Sequence, residues 1–151
     1  MNALDRKILA ALEEDGRLTV TELADRVGLS LSPCHRRVRA LEASGVIRGY
    51  RAELDPAALG LEFAALVFVT LNDSRSVADF EAAVAALDNV IQAQRLFGDP
   101  DYLLHIVARD LPAFQRLYDE RLTSLPGMKR MTSTLVMKDV VSNRPLTSAV
   151  D

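Results

Sequence analysis

TVTELADRVGLSLSPCHRRVRALEASG, residues 19–45, decides how this chain is read. Thr19 and Glu22 have the spacing of a capping box, and Leu18 and Leu23 stand at the two positions of a hydrophobic staple, so two signals predict a helix starting here. Leu23, Ala24 and Val27 face inward. Gly28 supplies a turn with left-handed backbone, after which Leu29 folds back onto the helix it follows. The next helix starts at Ser30 or Ser32, both suitable caps, and Pro33 is tolerated in a first turn because its missing N–H has no helical partner there. At roughly 100° per residue, Cys34, Val38 and Leu41 fall on one side, and Ser32, Arg36, Arg39 and Ala43 on the other. Two short helices joined by a tight glycine turn, the second carrying outward arginines, have the layout of a helix-turn-helix that reads double-stranded DNA.

An arginine on such a face can donate two hydrogen bonds to guanine in the major groove, whereas side chains on the flanks reach phosphates more readily. The candidate DNA-contacting residues are therefore Ser30 and Pro33 at the helix start, Ser32, Arg36 and Arg39 for base readout, and His35, Arg37, Arg48 and Arg51 as phosphate contacts. The competing reading is an arginine-rich surface helix that touches no nucleic acid. Charge distribution favours the first. The whole chain has a formal net charge of −3, but residues 1–51 hold nine Lys and Arg against seven Asp and Glu, and the remainder hold nine against fourteen. A basic patch on one part, in an otherwise acidic protein, binds phosphates locally and limits nonspecific adhesion.

Upstream, Leu4, Ile8 and Leu12 predict a helix capped by Asn2 and ended by a left-handed Gly16. Downstream, VIRGYRAEL (46–54) reads as a strand and DPAALG (55–60) as a capped single turn. The second half alternates. EFAALVFVTL (62–71) is apolar on both faces and reads as a central strand. A helix capped by Ser76 buries Phe80, Val84 and Leu87. VIQAQRLF and DYLLHIVAR form a hairpin around Gly98, Asp99 and Pro100. A second helix starts near Asp110 and Pro112, buries Phe114, Leu117 and Leu125, and stops at Pro126 and Gly127; MKRMTSTLVMKDVV (128–141) is the last strand. The order βαββαβ is that of a ferredoxin-like sandwich, so the fold class is α+β: an N-terminal three-helix helix-turn-helix domain followed by that sandwich. The expected boundaries are 1–51 for the first domain, 52–61 for a linker, 62–141 for the second domain and 142–151 for a C-terminal tail.

With 151 residues, 49% of them hydrophobic, the chain suffices for one ordinary core or two small ones. No apolar run approaches the roughly 20 residues that span a bilayer, and the charged Asp5, Arg6 and Lys7 differ from a secretory leader, so a cytoplasmic location and no membrane partner are expected. The single cysteine, Cys34, excludes an internal disulfide, and with only His35 and His105 no zinc set is expected. Cys34 reads as a buried core residue. Nucleophile elbows, phosphate-binding glycine loops and dinucleotide fingerprints are absent, so no catalytic residues, no metal and no cofactor are assigned, and the chain is not expected to be an enzyme. Two features call for partners. Phe63, Ala65, Val67 and Val69 alternate with Ala64, Leu66 and Phe68, and two helices cover only one sheet face, so the other predicts a two-fold homodimer. Gly98, Asp99, Pro100 and Asp101 form either a solvated turn or a small-ligand site, in which amides hold a carboxylate and an aspartate holds an ammonium, the two groups of an α-amino acid.

Taken together, LDRKIL, DGRLTVTELADRVGLSLSPCHRRVRALEASGVIRGY, FGDPDYLL and LTSLPGMKRMTSTLVMKDV, in that order and spacing, resemble the Lrp/AsnC family of bacterial transcription regulators. The resemblance implies a DNA-reading helix over Ser32–Ser44, a role in amino-acid metabolism, and dimers assembling further into octamers with an amino-acid effector bound between dimers. Carried onto this chain, the effector site involves Gly98, Asp99, Pro100 and Asp101, then Thr123, and Thr134, Leu135 and Val136. Arg95, entering the turn, departs from what a leucine-like side chain requires. It either recognises a polar or acidic effector or pairs with Asp99 or Asp101. The alternatives to an effector-controlled regulator are an architectural DNA-binding protein without effector and a small-molecule enzyme domain fused to a DNA-binding anchor.

Overall fold

The computed structural model describes residues 1–150 and divides into two compact units, Met1–Glu53 with the C-terminal stretch from Val140, and Leu54–Asp139. In the first unit α1 spans Ala3–Glu14, α2 Val20–Val27 and α3 Leu31–Ala43. Each start has a local cause. Asn2 and Asp5 form a capping box on α1, Thr19 and Glu22 one on α2, and Ser30 takes the extended cap position of α3 without a side-chain cap bond. Pro33 therefore falls in the first turn of α3, where no helical hydrogen bond is lost. Gly28 ends α2 at φ 75°, and the Leu29 N–H returns to the Ala24 carbonyl at 2.9 Å, the reversal that lets α3 cross α2. Gly16 does not play the corresponding role for α1. Asp15, in extended conformation, is the cap there. The three helices close around Ile8, Ala11, Leu23, Ala24, Cys34, Val38 and Leu41.

Residues 46–54 form no strand. A strand is held by hydrogen bonds to a neighbour, and none of the described strands pairs with this segment. Instead the Ile47 N–H donates to the Leu41 carbonyl at 3.1 Å, closing the end of α3, and the backbone turns at Gly49 with φ 155°. The stretch expected as a separate tail joins this unit. The Glu13 carboxylate on α1 accepts hydrogen bonds from the Leu146 amide (2.8 Å), the Thr147 amide (3.0 Å) and the Thr147 hydroxyl (2.5 Å), and so caps a single 3-10 turn at Leu146–Ala149. Asn143 donates to Glu53 at 2.8 Å.

The second unit opens with the turn at Ala57–Leu59, where Asp55 accepts the Ala57 N–H and Gly60 closes at φ 74°. Four antiparallel strands follow: β1 Phe63–Leu71, β2 Val90–Arg95, β3 Tyr102–Ala108 and β4 Met128–Leu135, in the sheet order β2-β3-β1-β4. Helices α4 (Val77–Ala85) and α5 (Leu111–Leu117) connect them in the βαββαβ order of the ferredoxin-like sandwich. Ala65, Val67, Val69, Leu104 and Ile106 meet Phe80 and Val84 of α4 and Phe114 of α5, which places both helices on one sheet face. Asp110 caps α5 through the Ala113 amide at 2.7 Å with Pro112 in the first turn. Beyond Leu117 the helix widens into a π-helical segment, Tyr118–Leu122, and this brings Leu122 into the core. Strand β4 stops at Leu135 rather than running to 141. After the Val136 N–H reaches the Ala64 carbonyl at 3.0 Å, β1 offers no further partner.

Candidate functional site

Helix α3 presents two sides to different environments. Cys34, Val38 and Leu41 are buried, and burial pushes the Cys34 thiol above its ordinary value, which makes it a packing residue rather than a nucleophile. On the opposite side Ser32, Arg36 and Arg39 are exposed. Arg36 and Arg39 stand three residues apart and thus project from one face. Arg39 keeps only a long ion pair to Glu42 at 3.7 Å with 71% of its side chain exposed, so DNA can capture it at little cost. At the N-terminus of α3 the Ser30 hydroxyl makes no cap bond, and Ser30 and Ser32 sit beside unpaired helix amides, a setting suited to a phosphate oxygen. His35, Arg48 and Arg51 are exposed, and Pro33 is half-buried.

Arg37 already has a partner within the chain. Its guanidinium lies 2.8 Å from the Asp5 carboxylate, with the two side chains only 33% and 18% exposed. The other oxygen of Asp5 accepts the Asn2 N–H in the α1 capping box. Arg37 therefore ties the arginine-bearing helix to the start of α1. Sequence reasoning missed Asp5 because the two residues are 32 positions apart.

In the second unit the hairpin turn Gly98–Asp101 is anchored to β1. The Asp101 N–H donates to the Val69 carbonyl (2.9 Å), its carboxylate accepts the Leu71 N–H (2.7 Å), and its carbonyl accepts the Leu96 N–H (2.7 Å). Asp101 is thus committed to holding the turn. Asp99 is more open. Its carboxylate accepts from the Thr70 hydroxyl at 3.1 Å and lies 3.4 Å from Arg130 of β4. The cation beside Asp99 is Arg130, not Arg95. The register pairs Thr70 with Arg130 on the helix-free sheet face, whereas Arg95 pairs with Tyr102 on the helix-covered face. Pro100 is half-buried in the turn. Thr123 follows the π-helical segment and donates to the Asp119 carbonyl at 3.0 Å, in the loop leading to Met128 at the same sheet end as the turn. Thr134, on the helix-free face, pairs with Leu66, four positions along β1 from Thr70, about 13 Å away at strand rise. Leu135 pairs with Ala65 on the helix-covered face, and Val136 lies just beyond it. One chain therefore brings Gly98–Asp101 together with Thr70 and Arg130, and leaves Thr134–Val136 at the other end of the sheet. Among the described residues no cluster of three or more His, Cys, Asp or Glu is placed to hold a metal ion, and no helix is long and apolar enough to cross a membrane.

Both units match known domain families: residues 1–48 a winged helix-turn-helix DNA-binding domain, and residues 64–146 an Lrp/AsnC ligand binding domain. The chain belongs to the Lrp/AsnC family. A leucine-responsive regulatory protein of Rhizobium meliloti is 42% identical over 142 residues, covering 93% of this chain and 91% of that protein. A proline dehydrogenase transcriptional activator of Rhodobacter capsulatus is 41% identical over 143 residues and 93% of each chain. Among solved structures, a Neisseria meningitidis transcriptional regulator in complex with L-Met superposes with a TM-score of 0.92 at 36% identity, covering 97% of this chain and 96% of that one. Within the Lrp/AsnC frame, α3 belongs to the matched DNA-binding domain, and the Asp99, Thr70 and Arg130 cluster to the matched ligand-binding domain.

Proposed function

We propose that this Lrp/AsnC regulator binds specific DNA sites in the cytoplasm through α3 and adjusts that binding to a free amino acid held in the second unit. The observation that carries the DNA reading is the exposed row Ser32, Arg36 and Arg39 on a helix whose opposite side is locked into the core. Arg36 and Arg39 read base edges. Ser30, Ser32, His35, Arg48 and Arg51 hold phosphates, and Arg37 sets the helix angle through Asp5.

The amino-acid reading is supported by Asp99 beside Thr70 and Arg130, an acid and a base together on an open sheet face, the pair that a zwitterion needs. Gly98, Pro100 and Asp101 shape the turn and Thr123 lies at the same end. Because Thr134, Leu135 and Val136 lie at the far end of the sheet, they join this site only if a second copy supplies them, so the effector sits at an interface between copies of a homo-oligomer. Its coupling to DNA binding then runs through assembly and is limited by the difference in effector affinity between arrangements, typically about 1–3 kcal/mol. The function is regulatory, with no catalytic step. Selection of DNA from a random pool, followed by titration calorimetry with a panel of amino acids, tests both parts. A recovered consensus sequence together with an amino acid that changes sedimentation supports the reading. Recovery of DNA without consensus overturns sequence specificity, and a panel in which nothing binds overturns the effector.

A further inference from the structure

Arg95 is left over when the turn site has been assembled. It lies on the helix-covered side of β2, the edge strand, and among the described residues it makes no ion pair or hydrogen bond. Its charge is felt at the Tyr102 hydroxyl. Beside it lies an open cleft of about 370 Å³ between α4 and β2, with the buried Phe80, Val84 and Tyr102 beneath its floor, Val90 and Ile91 as its accessible apolar side and Glu81 as its charged rim. That volume is at the small end of known ligand sites, which run from about 300 to 1,000 Å³.

The rim has a definite chemistry. The Tyr102 hydroxyl donates to Glu81 at 2.6 Å. Burial first, and the Glu81 carboxylate second, push its pKa up to about 12, so it stays a hydroxyl at any physiological pH. With its proton committed to Glu81, the phenol oxygen offers only lone pairs to the cleft. Glu81 is exposed beyond this bond, and no ion pair joins it to Arg95. An exposed carboxylate and a free guanidinium thus flank one hydroxyl without neutralising each other, above an apolar wall. Ile91, at the register shift of β2, lines the same cleft with 65% of its surface in solvent, apolar area that a ligand side chain would cover.

We infer that this cleft is a second amino-acid site, complete within one chain, in which Arg95 holds the α-carboxylate, Glu81 and the Tyr102 oxygen hold the α-ammonium, and an apolar side chain lies on Val90 and Ile91. The choice of an amino acid among zwitterions rests on the effector reading above, while the site itself is separate from the turn and lies on the other sheet face. It needs no second copy, so its occupancy does not depend on assembly, unlike that of the turn site.

The test is NMR titration of the full chain with L-methionine and with 4-(methylthio)butanoate, its analogue without the ammonium, observing the Val84 and Val90 methyl groups. In the wild type and in Asp99→Asn, L-methionine is expected to shift these signals saturably, and the analogue to bind at least tenfold more weakly. Arg95→Ala, an exposed change that leaves the core intact, is expected to raise the dissociation constant at least tenfold, with Arg95→Lys recovering part of it. Methyl signals that do not move at saturating L-methionine, or that move equally in Arg95→Ala, overturn the cleft. If binding survives elsewhere and is abolished by Asp99→Asn, the turn reading stands while the cleft falls. Methyl shifts that survive Asp99→Asn and are lost in Arg95→Ala support the cleft, whatever happens at the turn.

Discussion

At the residue scale, the arginines of α3 divide by what each already holds. Arg36→Ala and Arg39→Ala each remove an exposed guanidinium free to meet a base edge. Each is expected to cost about 1–3 kcal/mol of discrimination at a selected site, with a smaller effect on random DNA. Arg37 is different because its partner is Asp5. Arg37→Ala and Asp5→Asn should weaken specific and random DNA alike, and the double variant should be no worse than the single ones, since both break one link. Fluorescence anisotropy with the selected site and a scrambled duplex measures all five. Additive losses in the double variant would show that Arg37 contacts DNA directly. The outward direction of Arg36 and Arg39 was legible from helical spacing. The tether of Arg37 was not, because an ion pair across 32 positions leaves no local pattern.

Among the elements, two junctions depend on single atoms. Gly127 begins the approach to β4 at φ 66°, and a Cβ there would lie 2.0 Å from the Ser76 Cβ. Gly127→Ala is therefore strained by both backbone conformation and contact, and thermal unfolding should show a loss of roughly 2 kcal/mol or more. The C-terminal turn depends on Glu13. Slight burial pushes this carboxyl upward, but the hydroxyl of Thr147 and the amides of Thr147 and Leu146 outweigh it, so it titrates below its ordinary value of 4.5. A lowered pKa means that docking is stabilised above 4.5 and that this contribution is lost as pH falls through the lowered value. The Leu146 and Thr147 amide signals, followed by NMR into acid, should therefore change together below pH 4.5. In Glu13→Gln that acid transition should vanish. The helix starts at Asn2, Thr19 and Asp110 were legible because a cap acts within three residues. The strands expected at 46–54 and after Leu135 were not, since strand propensity says nothing about whether a neighbour is present to accept the bonds.

For the molecule as a whole, the helix-free sheet face sets the expectation of assembly. Ala64, Leu66 and Phe68 of β1 and Leu103 and His105 of β3 are half-buried there without a covering layer. Phe68→Glu places a charge in the middle of this face, and analytical ultracentrifugation should show it as a folded monomer under conditions where the wild type is a dimer. A monomeric wild type would refute the dimer and, with it, an effector site shared between copies. Formation of the oligomer is also the test of whether Thr134–Val136 of one copy complete the turn of another, because mixing monomeric Phe68→Glu with effector should then give no turn-site binding.

What the sequence determined by itself was whatever is encoded within a few residues: the capping box of Thr19 and Glu22, the cap at Asn2, the left-handed Gly28, the inward and outward sides of α3, and the βαββαβ order. These follow from periodicity and from side chains bonding their own backbone. The tertiary structure decided which distant groups meet. It joined Arg37 to Asp5 and the C-terminal turn to Glu13, placed Arg130 rather than Arg95 beside Asp99, and set Arg95 over the α4–β2 cleft. The physical reason is register. A one-residue choice in strand pairing sends a side chain to one sheet face or the other, and only the assembled sheet makes that choice.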